Sequence, residues 1–340
     1  MAVRVSMADV AKEAGVSLTT VSHAISGARP VSKDVRDRVH GAMELLGYVP
    51  SRAARNLATG TSHVIGLLVP DIGNSFFAEL VKGAERAAID RGYNVILGNT
   101  DFDHARDVLY LEAIRSRAID GLIYTAGSHM TTSDISGALG DVPLVLVDEE
   151  VAGVDAPLVI SDNERGGELV AEHLLAQGHR EALVIGAAPG LVSGELRLKG
   201  FLESWQRGGG RAHVTEGGFT SEGGQRALEA NRGLIADGPV TAVFAANDVM
   251  ALAVIELLQE WGLSVPQDVS VVGFDGIAAA RYVSPGLTTV AQAAGTLGRT
   301  AVQLLIEQLE DGGGTVPART MLEVELVERQ STAPRPRRNP

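Results

Sequence analysis

The sequence predicts an all-α helix-turn-helix headpiece followed by an α/β body whose parallel strands form two lobes. Three observations predict it. Three short helical patterns, each with its own cap signals, crowd the first 48 residues. From residue 63 onward, near-continuous apolar strand candidates alternate with amphipathic helical stretches. Charge is also split: residues 1–60 hold eight Lys and Arg against five Asp and Glu, a net +3, which leaves −16 for the rest of a 340-residue chain of net charge −13. Such asymmetry is expected where a small module meets phosphates and an acidic body stays off them.

In the headpiece, Ser6 with Asp9 three residues on forms a capping-box start, Val10 and Ala14 share a face, and Gly15 can take the positive φ that ends a helix. A second helix is capped by Ser17 and runs to about Ile25, before Ser26-Gly27. Ser32 caps a third, in which Val35, Val39, Ala42 and Leu46 repeat at helical spacing and Gly47 closes the run. Two short helices separated by AGVS make a helix-turn-helix, with the third as the floor of a small core. After Pro50 the stretch SRAARNLATG reads as a linker helix that forms conditionally, because a helix this short with little apolar area is marginal alone.

In the body, VIGLLVP, NVILGNT, DGLIYTA, VPLVLVD, LVISD, ALVIGA, TAVFAAND and VSVVGFD are the strand candidates. Apolar strands joined by helical crossovers imply parallel sheets buried on both faces. A closed barrel needs eight regular repeats, whereas VPLVLVD and LVISD follow each other without a helix, so two lobes joined near residue 161 are expected. The expected division is a helix-turn-helix domain over 1–49, a hinge helix and linker over 50–62, a two-lobed domain over 63–330 and a flexible tail over 331–340. Within the body the N-lobe takes about 63–161 and 292–328, and the C-lobe about 162–291.

Composition excludes several classes. The chain has no cysteine, hence no disulfide, thiol nucleophile or thiolate metal site, and no metal or cofactor is expected. MAVRVSMADV lacks the apolar run of a signal peptide, and no stretch has the ~20 apolar residues of a membrane span, so a cytoplasmic, nucleoid-associated protein is expected. No GxxxxGK[ST], HExxH or GxSxG occurs, which argues against an enzyme. A transport-associated sugar-binding component, the remaining alternative from another class, is disfavoured by the headpiece and the missing signal peptide.

The run MADVAKEAGVSLTTVSHAISGARPVSKDVRDRVHGAMELLGYVPSRAARNLATGTSHVIGLLVPDIGNSFF, with the later SDNERGG, GELRLKGF, FAANDVMA and VSVVGFD blocks, resembles the lac repressor family of bacterial transcriptional regulators over residues 6 to about 328. His23 and Leu57 bring it close to the purine-repressor branch. The resemblance implies a homodimer, a pseudo-palindromic double-stranded operator, and a periplasmic-binding-protein-like sensor that takes a small effector between its lobes.

On a helical wheel Val21, Ala24 and Ile25 cluster, while Thr19, Ser22 and His23 point the other way and are the candidates for reading base edges in the major groove. Leu18 lies on the border of the two faces; the matching family position contacts bases, and a core-edge leucine is the other reading. Leu57 has only Ala53 and Ala54 as apolar neighbours at helical spacing. In the family such leucines wedge into a central base step from the minor groove, with Arg52 and Arg55 supplying backbone or groove contacts.

For the effector, open α/β sheets bind ligands outside the carboxyl ends of their strands, where Asp71, Asn99, Asp101, Asp148, Asp162, Asn247 and Asp275 fall. Transferred by motif position, the resemblance points to Phe76, Arg197, Phe219, Asn247 and Asp275, and behind them Asp148, Asp162, Ser193 and Gln292. Leu191 stands where the purine branch has an arginine, Phe76 replaces a tyrosine, and Arg197 matches the sugar-binding members. A sugar or sugar derivative is therefore expected, with a purine-type corepressor as the alternative.

Overall fold

The computed structural model describes residues 5–26, 29–48, 61–115, 119–236, 238–310 and 317–335. Two compact units make up the chain, Met1–His63 with Ala118–Asp120, and Val64–Arg117 with Gly121–Pro340.

The first unit holds α1 (Met7–Ala14), α2 (Leu18–Ser26) and α3 (Lys33–Leu46). The caps stand where the sequence puts them. Ser6 and Asp9 form a full capping box, Thr20 N donates to Ser17 Oγ at 3.1 Å, Val35 N donates to Ser32 Oγ, and Gly15 and Gly47 end their helices at positive φ. Val10, Ala14, Val21, Ala24, Val39 and Ala42 close a small apolar core. Leu57, Arg52 and Arg55, with the hinge, lie outside the described residues.

The second unit carries two six-stranded sheets. The first contains β1 (Val64–Val69), β2 (Asn94–Asn99), β3 (Gly121–Tyr124), β4 (Leu144–Val147), β5 (Leu158–Ser161) and β11 (Arg319–Leu322) in the order β2-β1-β3-β4-β5-β11, every pairing parallel. The second contains β6 (Glu181–Gly186), β7 (Arg211–Glu216), β8 (Ala242–Ala245), β9 (Ser270–Asp275), β10 (Thr288–Ala291) and β12 (Glu325–Val327) in the order β7-β6-β8-β9-β10-β12. Only its β10–β12 pairing is antiparallel. The helices that cross over between strands are α4 (Ser75–Asp90), α5 (His104–Arg115), α6 (Thr132–Leu139), α7 (Asn163–Ala176), α8 (Val192–Arg207), α9 (Ser221–Ala230), α10 (Arg232–Ala236), α11 (Asp248–Glu260) and α12 (Ala294–Glu310). Both sheets have the doubly wound order, with the second strand of each lobe on the edge, the first beside it and the later strands on its other side. That order opens a crevice at the carboxyl ends beside β1 and β3 and beside β6 and β8.

The chain passes between the lobes at 161–163, 291–294 and 322–325. The third passage corrects the sequence reading twice. The N-lobe does not keep residues to 328, because β12 joins the second sheet. Nor are residues 331–335 a loose tail: Ser331 is fully buried and donates from Oγ to the Val271 carbonyl at 2.6 Å, and Arg335 N donates to the Gln177 carbonyl. A short segment after a helix carries no periodicity by which an edge pairing can be recognised.

Two histidines clamp this segment. His173 Nε2 meets Thr332 Oγ1 at 3.0 Å, and His179 bridges Thr241 Oγ1 at 2.8 Å and the Ala333 carbonyl at 3.0 Å. Burial pushes both imidazoles below their ordinary range. Their neutral forms are therefore favoured in the folded state, and the contribution they make is complete above the unfolded value of about 6.5 and lost as pH falls through it. Urea unfolding of the wild type and His179→Gln at pH 7.5 and 5.5 checks this: the wild type is expected to lose more of its advantage over the variant at the lower pH. The difference is the readout, because buried carboxyls titrate with the opposite sign.

Candidate functional site

The carboxyl ends of the two sheets face a cavity of about 380 Å³, part of it open to solvent. Its apolar wall is aromatic. Phe76 and Phe77 come from the first turn of α4, Phe102 from the loop after β2, and Phe219 from the loop after β7. Phe76 and Phe77 pack edge to face at 5.1 Å between ring centroids, and Phe77 meets Phe102 at 6.4 Å.

Its polar wall is built on helix starts and strand ends. Ser193 and Arg197, four apart on α8, share the face turned to the cavity. Arg197 is 3% exposed. Its Nε donates to Asn163 Oδ1 at 2.8 Å, and its Nη1 to the Ala246 carbonyl at 2.7 Å and to Asp275 Oδ1 at 3.4 Å. The guanidinium stands 3.9 Å from the Phe274 ring centroid and 5.4 Å from that of Phe219. Nη2 donates to no described residue, so a fixed fork of N–H groups remains for a ligand.

Asp148 is the converse: buried, with Oδ1 lacking any hydrogen-bond partner. Burial pushes its carboxyl up to about 6, against the pull of Arg197. Thr125 Oγ1, on the same wall, is likewise buried and unpartnered. Buried polar atoms without partners are rare in folded proteins and mark where a ligand or water is to be received. Burial also drives Asp275 well above the usual carboxylate range, although Arg197 beside it favours the charged form.

Backbone strain gathers here too. Phe102, Asp148 and Phe219, in loops that follow strands, and Asp275, the last residue of β9, take positive φ, as does Asp101 beside Phe102. These conformations cost of order 1 kcal/mol or more apiece, and such residues cluster at binding sites.

Seven of the nine residues expected for the effector line the cavity: Phe76, Asp148, Ser193, Arg197, Phe219, Asn247 and Asp275. Asn247 is also the cap of α11, accepting from Met250 N and donating to the Phe219 carbonyl, so its amide holds the wall together as well as facing inward. The other two fall elsewhere. Asp162 is the N-cap of α7, accepting from Arg165 N at 3.0 Å, and lines a separate surface recess. Gln292 stands behind the wall and donates from Nε2 to Asp275 Oδ1 at 2.8 Å, holding that carboxyl rather than lining the cavity. Of the strand-end polar residues, Asp71, Asn99 and Asp101 organise loops, taking Gly73 N, Ile72 N and the Arg106 guanidinium. Missed were Asn74, Phe77, Phe102, Thr125, Glu149 and Leu191 as lining residues.

In the first unit, Leu18 is 52% exposed and Thr19 is exposed, while Ser22 and His23 are half-buried at the edge of the core formed by Val21 and Ala24. Leu18 is thus on the open face rather than in the core. Among the described residues, no group of His, Asp or Glu is placed to hold a metal ion, and no helix is long and apolar enough to cross a membrane.

The sequence pattern described as "Bacterial regulatory proteins, lacI family" matches residues 6–51, and "Periplasmic binding protein-like domain" matches residues 171–332. The chain is similar to the HTH-type transcriptional repressor PurR of Aliivibrio fischeri (strain ATCC 700601 / ES114), 35% identical over 324 residues that cover 89% of this chain and 91% of the relative. It is equally similar to the ribose operon repressor of Escherichia coli (strain K12), 35% identical over 310 residues that cover 89% of this chain and 93% of the relative. Among solved structures it resembles the lac repressor dimer bound to operator and the anti-inducer ONPF, with a TM-score of 0.83, 30% identity, and coverage of 97% of this chain and 100% of that one. With headpiece, sheet order and inter-lobe cavity in place, the chain belongs to the lacI family of bacterial regulatory proteins and is an effector-controlled, DNA-binding transcriptional repressor.

Proposed function

We propose that the effector is a neutral sugar, received between Asp148 and Arg197 against the phenylalanine wall. The observation that carries this is the pairing of an unpartnered buried carboxylate oxygen with an uncommitted pair of guanidinium N–H groups. A sugar hydroxyl donates to the first and accepts from the second, and the apolar faces of a pyranose or furanose ring suit Phe76 and Phe219. A purine would also stack there, but Leu191 supplies no polar group to its edge. The similarity to the ribose operon repressor supports the sugar reading.

The protein acts by binding without turnover, in the cytoplasm, as a homodimer on a pseudo-palindromic operator; the likeness to the lac repressor dimer on operator supports the assembly. Sugar binding shifts the balance between lobe arrangements and so changes operator affinity. A thermal-shift panel of pentoses, hexoses and nucleobases, followed by operator titration with each hit, tests this. Stabilisation by hypoxanthine or guanine and by no sugar would overturn it, as would a sugar that binds and leaves operator affinity unchanged.

On the DNA side, Leu18, Thr19, Ser22 and His23 are proposed to meet base edges. Alanine at Thr19, Ser22 or His23 is expected to weaken operator binding by about 1–3 kcal/mol and to relax discrimination at one base pair, with little effect on headpiece stability. Anisotropy titrations against single-base operator variants measure both; uniform weakening across all variants would reassign the residue to backbone contact. Arg52, Arg55 and the Leu57 wedge are carried as proposals from the family pattern.

A further inference from the structure

α8 begins without a side-chain cap of its own. Its N-cap is Leu191, which makes no capping hydrogen bond, although the first turn of a 16-residue helix presents unsatisfied N–H groups and the positive end of its dipole to the cavity. Such a position ordinarily receives a phosphate, sulfate or carboxylate. Here it is filled from across the cleft. Glu149, in the loop after β4 of the other lobe, accepts from Ser193 N at 3.1 Å on Oε1 and from Ser193 Oγ at 2.6 Å on Oε2, and is only 3% exposed.

We propose that Glu149 is the residue that sets the charge class of the effector: by occupying the amino end of α8 from the opposite lobe, it closes the cleft on neutral ligands and excludes phosphorylated or carboxylated ones. This deepens the neutral-sugar reading and rests on it. The Glu149 oxygens take the place that those of an anion would otherwise fill, so a phosphate must displace them to reach the Ser193 amide. The electrostatics of the cavity point the same way. Three carboxyls line it, Asp148, Glu149 and Asp275, against one guanidinium, Arg197. Burial, with Asp148 adding repulsion, pushes the Glu149 carboxyl up to about 8. An environment that favours the neutral form of its own acids also disfavours a ligand that cannot shed its charge at neutral pH.

The test uses the full chain as wild type, Glu149→Ala and Glu149→Gln, with inorganic phosphate, D-ribose 5-phosphate and D-ribose as probes in thermal-shift and calorimetric titrations. Wild type is expected to ignore both phosphates, and Glu149→Ala to bind them at least about tenfold more tightly than wild type, the scale of an anion at a helix amino end. Glu149→Gln, which keeps the shape and exchanges one acceptor oxygen for a donor amide, is expected to fall between, and it carries the test if the alanine variant does not fold. In the Glu149→Ala/Ser193→Ala double variant, which removes the Oγ donor and keeps the backbone amide, the gain should shrink and persist. Equal phosphate binding by wild type and the variants, or no gain in either variant, overturns the role of Glu149. Failure of every neutral sugar to bind wild type overturns the sugar reading instead, and inorganic phosphate reports on Glu149 in either case.

Discussion

Arg197→Leu is expected to weaken binding of the effector more than about 100-fold while leaving a repressor that still finds its operator and no longer answers to the effector. The guanidinium is the only cation on the cavity wall and holds three protein groups through Nε and Nη1. A hydrogen bond from a charged donor contributes roughly 1.5–3 kcal/mol, so loss of the two N–H groups left for ligand removes about that much or twice it. The substitution also leaves Asp275 without its ion-pair partner beside Asp148, in a site where burial already favours the protonated acids. A buried pair broken on one side costs about 3–5 kcal/mol of stability, though protonation softens the loss. Because these carboxyls have folded pKa values above their unfolded ones, the folded state holds more protons, and stability falls as pH rises. The variant should therefore lie closer to wild type at pH 5 than at pH 8. Calorimetry with the best sugar, operator anisotropy with and without it, and urea unfolding at the two pH values check the three parts. Retention of effector binding within a few fold of wild type would remove Arg197 from the site.

Why was so much of this legible beforehand, and what was not? Helix caps are local chemistry, so Ser6, Ser17 and Ser32 with Gly15 and Gly47 could be placed from three or four neighbouring residues. Central parallel strands such as β1, β6 and β9 are buried on both faces and stand out as apolar runs. Edge strands do not: in β7 the sequence RAHVTE is half exposed, and β11 and β12 are three or four residues long. The same locality explains the errors at the site. An Asp or Asn after a strand and before a helix serves equally as a cap or as a ligand group. Asp162 is the first, Asn247 is both, and no periodicity separates them. Glu149 carries no mark of its own in the sequence, because it lies between the strand-end Asp148 and Glu150 and one acid in such a run looks like its neighbours. One signal pointed to it: a helix opening on Leu191-Val192 with no Ser, Thr, Asp or Asn at its cap must borrow an acceptor from elsewhere in the fold.

Gly200→Val is expected to destabilise the second unit severely, for reasons of distance alone. α7 and α8 lie so close that a Cβ on Gly200 would stand 1.9 Å from the Glu164 carbonyl oxygen, and one on Gly167 would stand 2.1 Å from that of Arg197. Neither glycine needs positive φ; each is required because another backbone occupies the place of its side chain. Backbone cannot swing aside as a flexible side chain does, so the helices must separate, and the layer of Phe201, Trp205, Phe244 and Phe274 beneath them loses its stacking. Overpacking of this kind costs 1–3 kcal/mol for a methylene or two, and a branched side chain driven into a backbone carbonyl should exceed about 3 kcal/mol. Function should fail along with stability, because the same displacement carries Ser193 and Arg197 on α8 away from Asn163 on α7 and from Asp275 on β9. Gly233→Ala on α10 is the control: a Cβ there meets nothing within 4 Å, and the change should be neutral or slightly stabilising. Chemical unfolding of both variants, with effector titration of whatever remains folded, decides the matter. A Gly200→Val protein within 1 kcal/mol of wild type would mean that α7 and α8 are free to part, and with them the wall that holds Arg197.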